Sequence, residues 1–253
     1  MKVIVNGLAV EYADEGAGPV LLLLHGWKDT HRTFDALVPF LKDQFRIVRL
    51  DLPGFGGSDT PKEAWHVGDY ALFIAAFMAK VGVVPLALVG HSLGGRIVLK
   101  GVGEGVLSAE RIVLIASAGV ARRKTLRNRF FYIVAKIGKL LMFIPPFSFW
   151  KARMRKKLYA AAGSDYLGAG ELRQTFLNVI REDLSEAAQQ ISVPTLLVWG
   201  SADTETPVTD GERLKEMMPH ATLEVIAGAD HFVHKAQAER VAARMRGHLV
   251  STL

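Results

Sequence analysis

Cysteine is absent from this chain of 253 residues. Its absence excludes disulfide bridges, thiolate metal sites and a cysteine nucleophile, and it is typical of proteins from reducing compartments. No uninterrupted apolar run reaches the roughly 18 residues that a membrane-spanning helix needs. The first seven residues also lack the basic start and long apolar region of a secretory signal peptide. We therefore expect a cytoplasmic protein, and a peripheral association with a membrane stays open.

Motifs for bound metals and nucleotides are missing as well. The sequence contains no H-E-x-x-H metal motif, and no G-x-G-x-x-G follows an apolar run. The glycines of Gly101-x-Gly103-x-Gly105 fall at the end of a predicted helix, where they are typical of helix termination. We accordingly expect neither a metal nor a cofactor.

What the chain does contain is an alternation of short apolar runs with helical patterns. Hydrophobic residues make up 50% of the sequence, enough for the core of one large domain. Strands are predicted at 20–24, 45–50, 86–91, 111–116, 195–199 and 223–226, helices at about 31–43, 67–81, 93–105, 208–217 and 235–249, and a hairpin at 3–5 and 9–12. This alternation predicts an α/β fold, a mostly parallel, doubly wound sheet of about eight strands with functional residues at the carboxyl ends of the strands.

One segment interrupts the alternation. Residues 121–160 contain 12 basic side chains and no acidic one, whereas the net charge of the whole chain is only +6. Aromatic residues and the break at Pro145-Pro146 predict an inserted helical lid over 121–188, between core segments 1–120 and 189–253. Such a basic, apolar composition is typical of a solvated helical face, but also of a surface that meets anionic lipid or an anionic substrate. Because no recognition motif accompanies the charge, we expect no nucleic-acid partner.

The pentapeptide Gly90-His91-Ser92-Leu93-Gly94 lies between a predicted buried strand and a predicted helix. In that setting, G-x-S-x-G places the serine on a sharp strand-to-helix turn, and the glycines allow the chain to pass without Cβ clashes. The turn exposes the Ser92 hydroxyl and directs the backbone N–H of Leu93, at a helix N-terminus, toward an oxyanion formed on that serine. Ser92 is therefore the candidate nucleophile.

A base and an acid follow later in the chain, again at strand ends. A serine hydroxyl needs a base to take its proton, and the base needs a third group to fix its tautomer. Asp203 stands in a turn after the strand at 195–199, and His231 opens the loop before the last helix. The order Ser92, Asp203, His231 is the order of a known class of catalytic triad.

Other residues compete for these two roles. His25 precedes a glycine turn, where a structural hydrogen bond is the more natural role, and His234 is interpreted as a surface residue of the last helix. Glu205 and Asp230 are the alternative acids near Asp203 and His231. Asp51, in a Pro-Gly turn, is interpreted as a structural hydrogen-bonding group.

Taken together, these motifs resemble the α/β-hydrolase fold superfamily over essentially the whole chain. The motifs are His25-Gly26-Trp27, Asp51-Leu52-Pro53-Gly54-Phe55-Gly56-Gly57-Ser58, the pentapeptide at 90–94, Trp199-Gly200-x-x-Asp203 and His231-Phe232. The resemblance implies Ser92 as nucleophile, His231 as general base and acid, and Asp203 as orienting acid, with the N–H groups of Trp27 and Leu93 as oxyanion hole. The chain departs from the family at Asp230, where glycine is common before the catalytic histidine.

The resemblance further implies a cofactor-free serine hydrolase that cleaves carboxylic esters, and the apolar lid favours a hydrophobic acyl or alcohol group. Ser92 disfavours dehalogenases and epoxide hydrolases, which use aspartate, and Leu93 disfavours haloperoxidase-like members, which often have methionine there. The lid segment has no acidic cluster to bind a free amine, which disfavours an iminopeptidase-like amidase. Hydrolases of carbon–carbon bonds such as meta-cleavage products, thioesterases, peripheral-membrane lipases or lysophospholipases, and non-catalytic ligand receptors on the same fold stay open.

Overall fold

A computed structural model describes residues 1–117, 119–120 and 170–250. Within them, the structure is built on an eight-stranded sheet. The strands are β1 (Lys2–Val5), β2 (Leu8–Glu15), β3 (Val20–Leu24), β4 (Arg46–Leu50), β5 (Pro85–His91), β6 (Arg111–Ile115), β7 (Thr195–Gly200) and β8 (Ala221–Ile226). The predicted α/β class and strand number are confirmed.

The order of the strands is β1-β2-β4-β3-β5-β6-β7-β8. The first hairpin is antiparallel, as is the β2–β4 pair, and every later pair is parallel. Asn6 and Gly7 both have positive φ, 48° and 81°, the backbone that a tight two-residue hairpin turn requires. Because β3 and β5 to β8 run the same way, their carboxyl ends meet at one edge of the sheet.

Helices cover the sheet. They are α1 (Val38–Leu41), α2 (Val67–Val81), α3 (Leu93–Gly103), α4 (Arg173–Arg181), α5 (Ser185–Gln189), α6 (Val208–Met217), α7 (Val233–Ala236) and α8 (Ala238–Val250), with 3₁₀ turns at His31–Phe34 and Gly170–Leu172. Leu21 and Leu23 of β3 share a buried cluster with Val38, Leu41 and Met245 from the helices α1 and α8. Burial of these apolar side chains is the main force that holds the helices against the sheet.

The helix predicted at 31–43 is wrong in its extent. The structure has a 3₁₀ turn at His31–Phe34 and a separate helix at Val38–Leu41. Pro39 accounts for the break, because it has no backbone N–H to donate to the carbonyl four residues earlier and is tolerated only in a first helical turn. The helix predicted at 235–249 is likewise two helices, which divide at Gln237.

The chain divides into two compact units, Met1–Ala121 with Asn178–Leu253, and Arg122–Leu177. The unit that contains the sheet therefore includes residues 178–188, which the sequence pattern predicts as part of the lid. Helix α5 packs on α3 and α6, and a Cβ on Gly103 would collide with the backbone of Ala187. Residues 121–169 of the predicted lid lie outside the described residues, and residues 170–177 form the second 3₁₀ turn and the first part of α4. No helix in the described ranges combines the length and apolar character that crossing a bilayer requires.

Candidate active site

Ser92 occupies a strained turn between β5 and α3. Its backbone has φ 50° and ψ −107°, a combination that non-glycine residues rarely adopt and that costs about 1–3 kcal/mol. The surrounding chain fixes this conformation, since the Ser92 N–H donates to Ile115 O (3.1 Å) and the Ser92 carbonyl accepts from the N–H of Arg96 (3.2 Å). The sharp turn predicted from the pentapeptide is thus confirmed.

Close backbone packing explains the glycines on either side of Ser92. A Cβ on Gly90 would lie 2.5 Å from the backbone nitrogen of Gly95, and one on Gly94 would collide with the carbonyl of Leu24 at the end of β3. The N–H of Gly94 instead donates to His25 O (3.0 Å). The start of α3 is in this way held directly against the loop that follows β3.

Asp203 and His231 meet across the loops after β7 and β8. Asp203 Oδ2 lies 2.9 Å from His231 Nδ1, and both side chains are buried. Burial opposes ionisation of Asp203, but the hydrogen bonds from His231 and Thr206 outweigh it, so the pKa of the Asp203 carboxyl lies below its ordinary value. An ionised Asp203 accepts the Nδ1 proton of His231, which leaves Nε2 as the atom that can act as a base.

Thr206 completes this pair, and sequence reasoning did not find it. Its hydroxyl lies 2.9 Å from Asp203 Oδ2, 3.0 Å from Ala116 O and 3.2 Å from His231 Nδ1, while its N–H donates to Asp203 Oδ1 (2.9 Å). Both oxygens of the carboxylate are therefore held by one residue. A threonine in a loop carries no distinguishing sequence signal, so only the three-dimensional contacts assign it this place.

Neither of the two alternative acids, Glu205 and Asp230, contacts His231 Nδ1. Glu205 Oε2 is 3.6 Å from His231 Nε2, on the opposite side of the imidazole ring from Asp203. Asp230 is exposed, and its carboxylate accepts the N–H of Phe232 (2.9 Å). Of these carboxylates, only Asp203 is in contact with Nδ1.

Two backbone segments border the predicted oxyanion hole. Leu93 is the first residue of α3, where N–H groups have no partner within the helix. A Cβ on Gly26, next to Trp27, would lie 3.3 Å from Ser92 Cβ, so this glycine brings the turn close to the serine. The Trp27 ring packs edge-to-face on Phe55, with centroids 4.9 Å apart. The assignment of the Trp27 and Leu93 N–H groups to the oxyanion hole stays a prediction.

His25 and Asp51 have the structural surroundings that the sequence suggested. His25 is buried, its Nε2 accepts from the Leu52 N–H (2.8 Å) and its Nδ1 therefore donates to Gly26 O (2.7 Å). Burial lowers the pKa of His25. Asp51 accepts hydrogen bonds from the N–H groups of His31 (2.7 Å) and Gly57 (2.8 Å) and lies 2.6 Å from the His31 ring.

The interpretation of His234 as a surface residue is wrong. His234 is fully buried, and its Nε2 lies 3.0 Å from the Thr33 hydroxyl. The reason is the short helix α7, which precedes the last helix and turns this side chain inward. Burial lowers the pKa of His234 to about 3, and the charges of Lys235 and His231 act in the same direction.

His91, the second residue of the pentapeptide, joins His234 to the candidate base. Its ring centroid is 4.8 Å from that of His231 and 4.4 Å from that of His234. His91 Nε2 lies 3.1 Å from the backbone carbonyl of His231, which requires a proton on Nε2. Burial keeps the pKa of His91 well below its ordinary value. A neutral His91 thus donates a hydrogen bond to the backbone carbonyl of His231 and helps to hold that residue in place.

Comparisons with known proteins identify the family and the fold. Residues 21–244 match the model of the alpha/beta hydrolase family. A 2-hydroxy-6-oxononadienedioate/2-hydroxy-6-oxononatrienedioate hydrolase from Burkholderia vietnamiensis is 27% identical over 263 residues, which cover 92% of this chain and 88% of that protein. Two solved structures are similar to the chain: a bacterial membrane phospholipase A (TM-score 0.77, 25% identity, 98% of this chain and 84% of that chain) and the enol-lactonase from Burkholderia xenovorans (TM-score 0.75, 18% identity, 99% and 100%).

Among the described residues, no group of three or more potential ligands is arranged to hold a metal ion. The family match covers most of the chain, and the sheet order, the strained serine turn and the Asp203–His231 pair are in accord with it. The chain belongs to the alpha/beta hydrolase family.

Proposed function

We propose that this protein hydrolyses carboxylic esters through an acyl-enzyme on Ser92. One observation carries the proposal: the strained turn of Ser92 follows β5, and the hydrogen-bonded pair of Asp203 and His231 (2.9 Å) follows β7 and β8 at the same edge of the sheet. A nucleophile, a base and an orienting acid at one edge are the parts that acyl transfer needs.

In the first half of the reaction, His231 Nε2 takes the hydroxyl proton as Ser92 Oγ attacks the ester carbonyl carbon. The carbonyl oxygen becomes an oxyanion, stabilised by the N–H groups of Leu93 and Trp27 with roughly 3 kcal/mol for each donor. The imidazolium of His231 then protonates the departing alkoxide, and the acyl group stays on Ser92. In the second half, His231 takes a proton from water as the water oxygen attacks the acyl carbonyl carbon. The bond from that carbon to Ser92 Oγ then breaks, and the His231 imidazolium returns its proton to Oγ, which releases the acid and restores Ser92 and neutral His231.

A series of p-nitrophenyl esters from acetate to palmitate tests this function, with a 2-hydroxy-6-oxodienoate as the carbon–carbon substrate. We expect saturable hydrolysis of the esters, with kcat/KM about tenfold higher for the butyrate than for the acetate, because two more methylenes leave water. Initial rates corrected for spontaneous hydrolysis measure this. Turnover of the dienoate without turnover of any ester would contradict the proposal and favour a carbon–carbon hydrolase.

A second candidate function is hydrolysis of acyl esters in membrane lipids. It is favoured by the 12 basic and no acidic residues of 121–160, together with the 25% identity and TM-score of 0.77 to a membrane phospholipase A. Basic side chains beside apolar ones bind an anionic interface by charge attraction and by burial of the apolar groups.

Co-sedimentation with vesicles tests the second candidate. We expect binding to vesicles that contain phosphatidylglycerol, little binding to pure phosphatidylcholine, and about a tenfold or larger loss of binding when Arg122, Arg123, Arg127 and Arg129 are changed to Glu. Changing the exposed Lys42, Lys80, Lys215 and Arg240 to Glu is the control, since it alters the net charge equally. Absence of binding at low salt, or an equal loss in both variants, would count against a membrane-docking lid.

A further inference from the structure

Thr206 places its hydroxyl between the candidate acid, the candidate base and the backbone that follows β6. Its Oγ1 lies 2.9 Å from Asp203 Oδ2, 3.2 Å from His231 Nδ1 and 3.0 Å from Ala116 O. Only 6% of the residue is exposed, so water does not compete freely for these partners. The hydroxyl therefore joins the Asp203–His231 pair to the sheet.

The backbone that anchors this hydroxyl is itself held in an unusual conformation. Ala116 has a φ of 45°, which non-glycine residues rarely adopt, and its N–H donates to Val198 O of β7 (2.9 Å). The carbonyl of its neighbour Ile115 accepts the Ser92 N–H (3.1 Å). Two consecutive carbonyls thus bind the serine turn and Thr206. Strained backbone persists only where its surroundings fix it, so Ala116 O is a well-defined anchor for the Thr206 hydroxyl.

The two oxygens of the Asp203 carboxylate are held differently. Oδ1 accepts from the backbone N–H groups of Glu205 and Thr206, each at 2.9 Å. Oδ2 is contacted by side chains, the imidazole of His231 at Nδ1 and the Thr206 hydroxyl, each also at 2.9 Å. The terminal torsion of an aspartate side chain is broad, so bonds at Oδ1 alone leave the plane of the carboxylate free to tilt. The hydroxyl at Oδ2 fixes that plane, and with it the oxygen that meets Nδ1.

The plane of the carboxylate matters most when His231 carries a charge. In acyl transfer Nε2 gains a proton, and Asp203 then stabilises the imidazolium through its bond to Nδ1. Thr206 contacts the ring at Nδ1, whereas the ester meets it at Nε2. A group on the Nδ1 side acts on the charge that develops in the transition state and does not touch the bound ester, so its loss lowers kcat and leaves KM nearly unchanged.

We propose that Thr206 is a positioning residue, whose hydroxyl, anchored on Ala116 O, holds Asp203 Oδ2 against His231 Nδ1 during the reaction. This role rests on the proposed ester hydrolysis and deepens it. A misplacement of reacting groups by about 1 Å costs about 100-fold in rate, which sets the scale of the expected effect.

A graded series of variants at position 206 tests this role. Thr206→Ser keeps the hydroxyl, Thr206→Cys replaces it with a weakly hydrogen-bonding thiol, and Thr206→Val keeps the shape without a hydrogen-bonding group. All three retain the backbone N–H that binds Asp203 Oδ1. Thr209→Val makes the same chemical change at an exposed position on α6 and is the control. The readouts are kcat and KM for p-nitrophenyl butyrate, the melting temperature, and the ¹H NMR signal of the His231 Nδ1 proton, assigned by its absence in His231→Gln.

We expect kcat within about threefold of wild type for Thr206→Ser and about 10- to 100-fold lower for Thr206→Val, with Thr206→Cys between them and KM within about twofold throughout. The Nδ1 proton signal should shift or broaden in the same order, and Thr209→Val should change none of these values. If Thr206→Val does not fold, a kcat about threefold or more lower for Thr206→Cys than for Thr206→Ser supports the role, and equal values overturn it.

The combined readouts separate this role from a merely structural one and from the proposed function. A lower melting temperature with unchanged kcat and an unchanged Nδ1 signal would show that Thr206 only stabilises the fold, and would overturn the role while ester hydrolysis stands. Absence of ester hydrolysis by folded wild type would overturn the proposed function and this role with it.

Discussion

Replacement of Ser92 by alanine is expected to lower kcat for ester hydrolysis by about 10⁵-fold or more, as loss of the nucleophile does in serine hydrolases. The hydroxyl is the only part of the side chain that the proposed acyl transfer uses, so no neighbouring group takes over its role. Stopped-flow release of p-nitrophenol measures the effect, together with mass spectrometry of the protein quenched during turnover. Wild type should carry the acyl group on Ser92, and the variant should carry none.

The Ser92→Ala variant should keep its fold, because alanine adopts the same backbone and the turn is fixed by hydrogen bonds of the main chain. An unchanged melting temperature would establish this. Ser185→Ala is a suitable control, since Ser185 is partly exposed and its hydroxyl donates to the neighbouring Asp183 (2.6 Å). Full esterase activity in Ser92→Ala would show that another group performs the chemistry and would end the acyl-enzyme proposal.

Acid is expected to destabilise the protein well before its carboxylates are protonated. The folded protein holds His234 neutral down to a pKa of about 3, and the pKa values of His91 and His25 are also lowered by burial. An unfolded chain protonates histidine near its ordinary pKa of about 6.5. Between these two pKa values the unfolded state binds more protons than the folded state. The free energy of unfolding therefore rises with pH across this range and is lost as the pH falls from about 6.5 to about 3. His234 alone accounts for about 5 kcal/mol over the full window.

The variant His234→Phe isolates this effect, because it keeps a ring in the same place and removes the titration. We expect the free energy of unfolding of wild type to fall more steeply between pH 6 and pH 4 than that of the variant, by about 1.4 kcal/mol for each pH unit. Urea unfolding monitored by tryptophan fluorescence at several pH values measures both slopes. Phe34→Leu is the control, since it perturbs the ring beside His234 without a titratable group. Equal slopes in wild type and His234→Phe would refute the proposed linkage.

The sequence predicts those parts of the site whose positions depend only on the direction in which the strands run. Parallel strands end at one edge, so residues after β5, β7 and β8 converge there whatever lies between them. Helix α2 was predicted at its observed limits, Val67–Val81, because its period is regular and Gly82 ends it with φ 67°. Pro39 is a sequence signal for the interruption of the helix predicted at 31–43. The helical periodicity on both sides of Pro39 nevertheless favours one continuous helix, which is why the break was not predicted.

The parts that could not be predicted depend on contacts between distant segments. Thr206 contacts Ala116, which follows β6, and His231, which lies in the loop after β8. Neither contact leaves a pattern in the local sequence. Histidine is found both buried and exposed in proteins, so residue type alone does not predict that His91 and His234 are buried. Their burial depends on ring contacts between distant segments, since the His91 ring lies 4.8 Å from that of His231 and 4.4 Å from that of His234.

The turn at residue 92 also bears on how new chemistry arises in this fold. Its φ of 50° with ψ of −107° is unfavourable for every L-amino acid, and the hydrogen bonds that maintain it come from the main chain. The side chain at this position therefore does not hold the turn, and the turn does not depend on which nucleophile it displays. A mutation that exchanges one reactive group for another leaves the scaffold as it was, so selection can alter the reaction without rebuilding the protein around it.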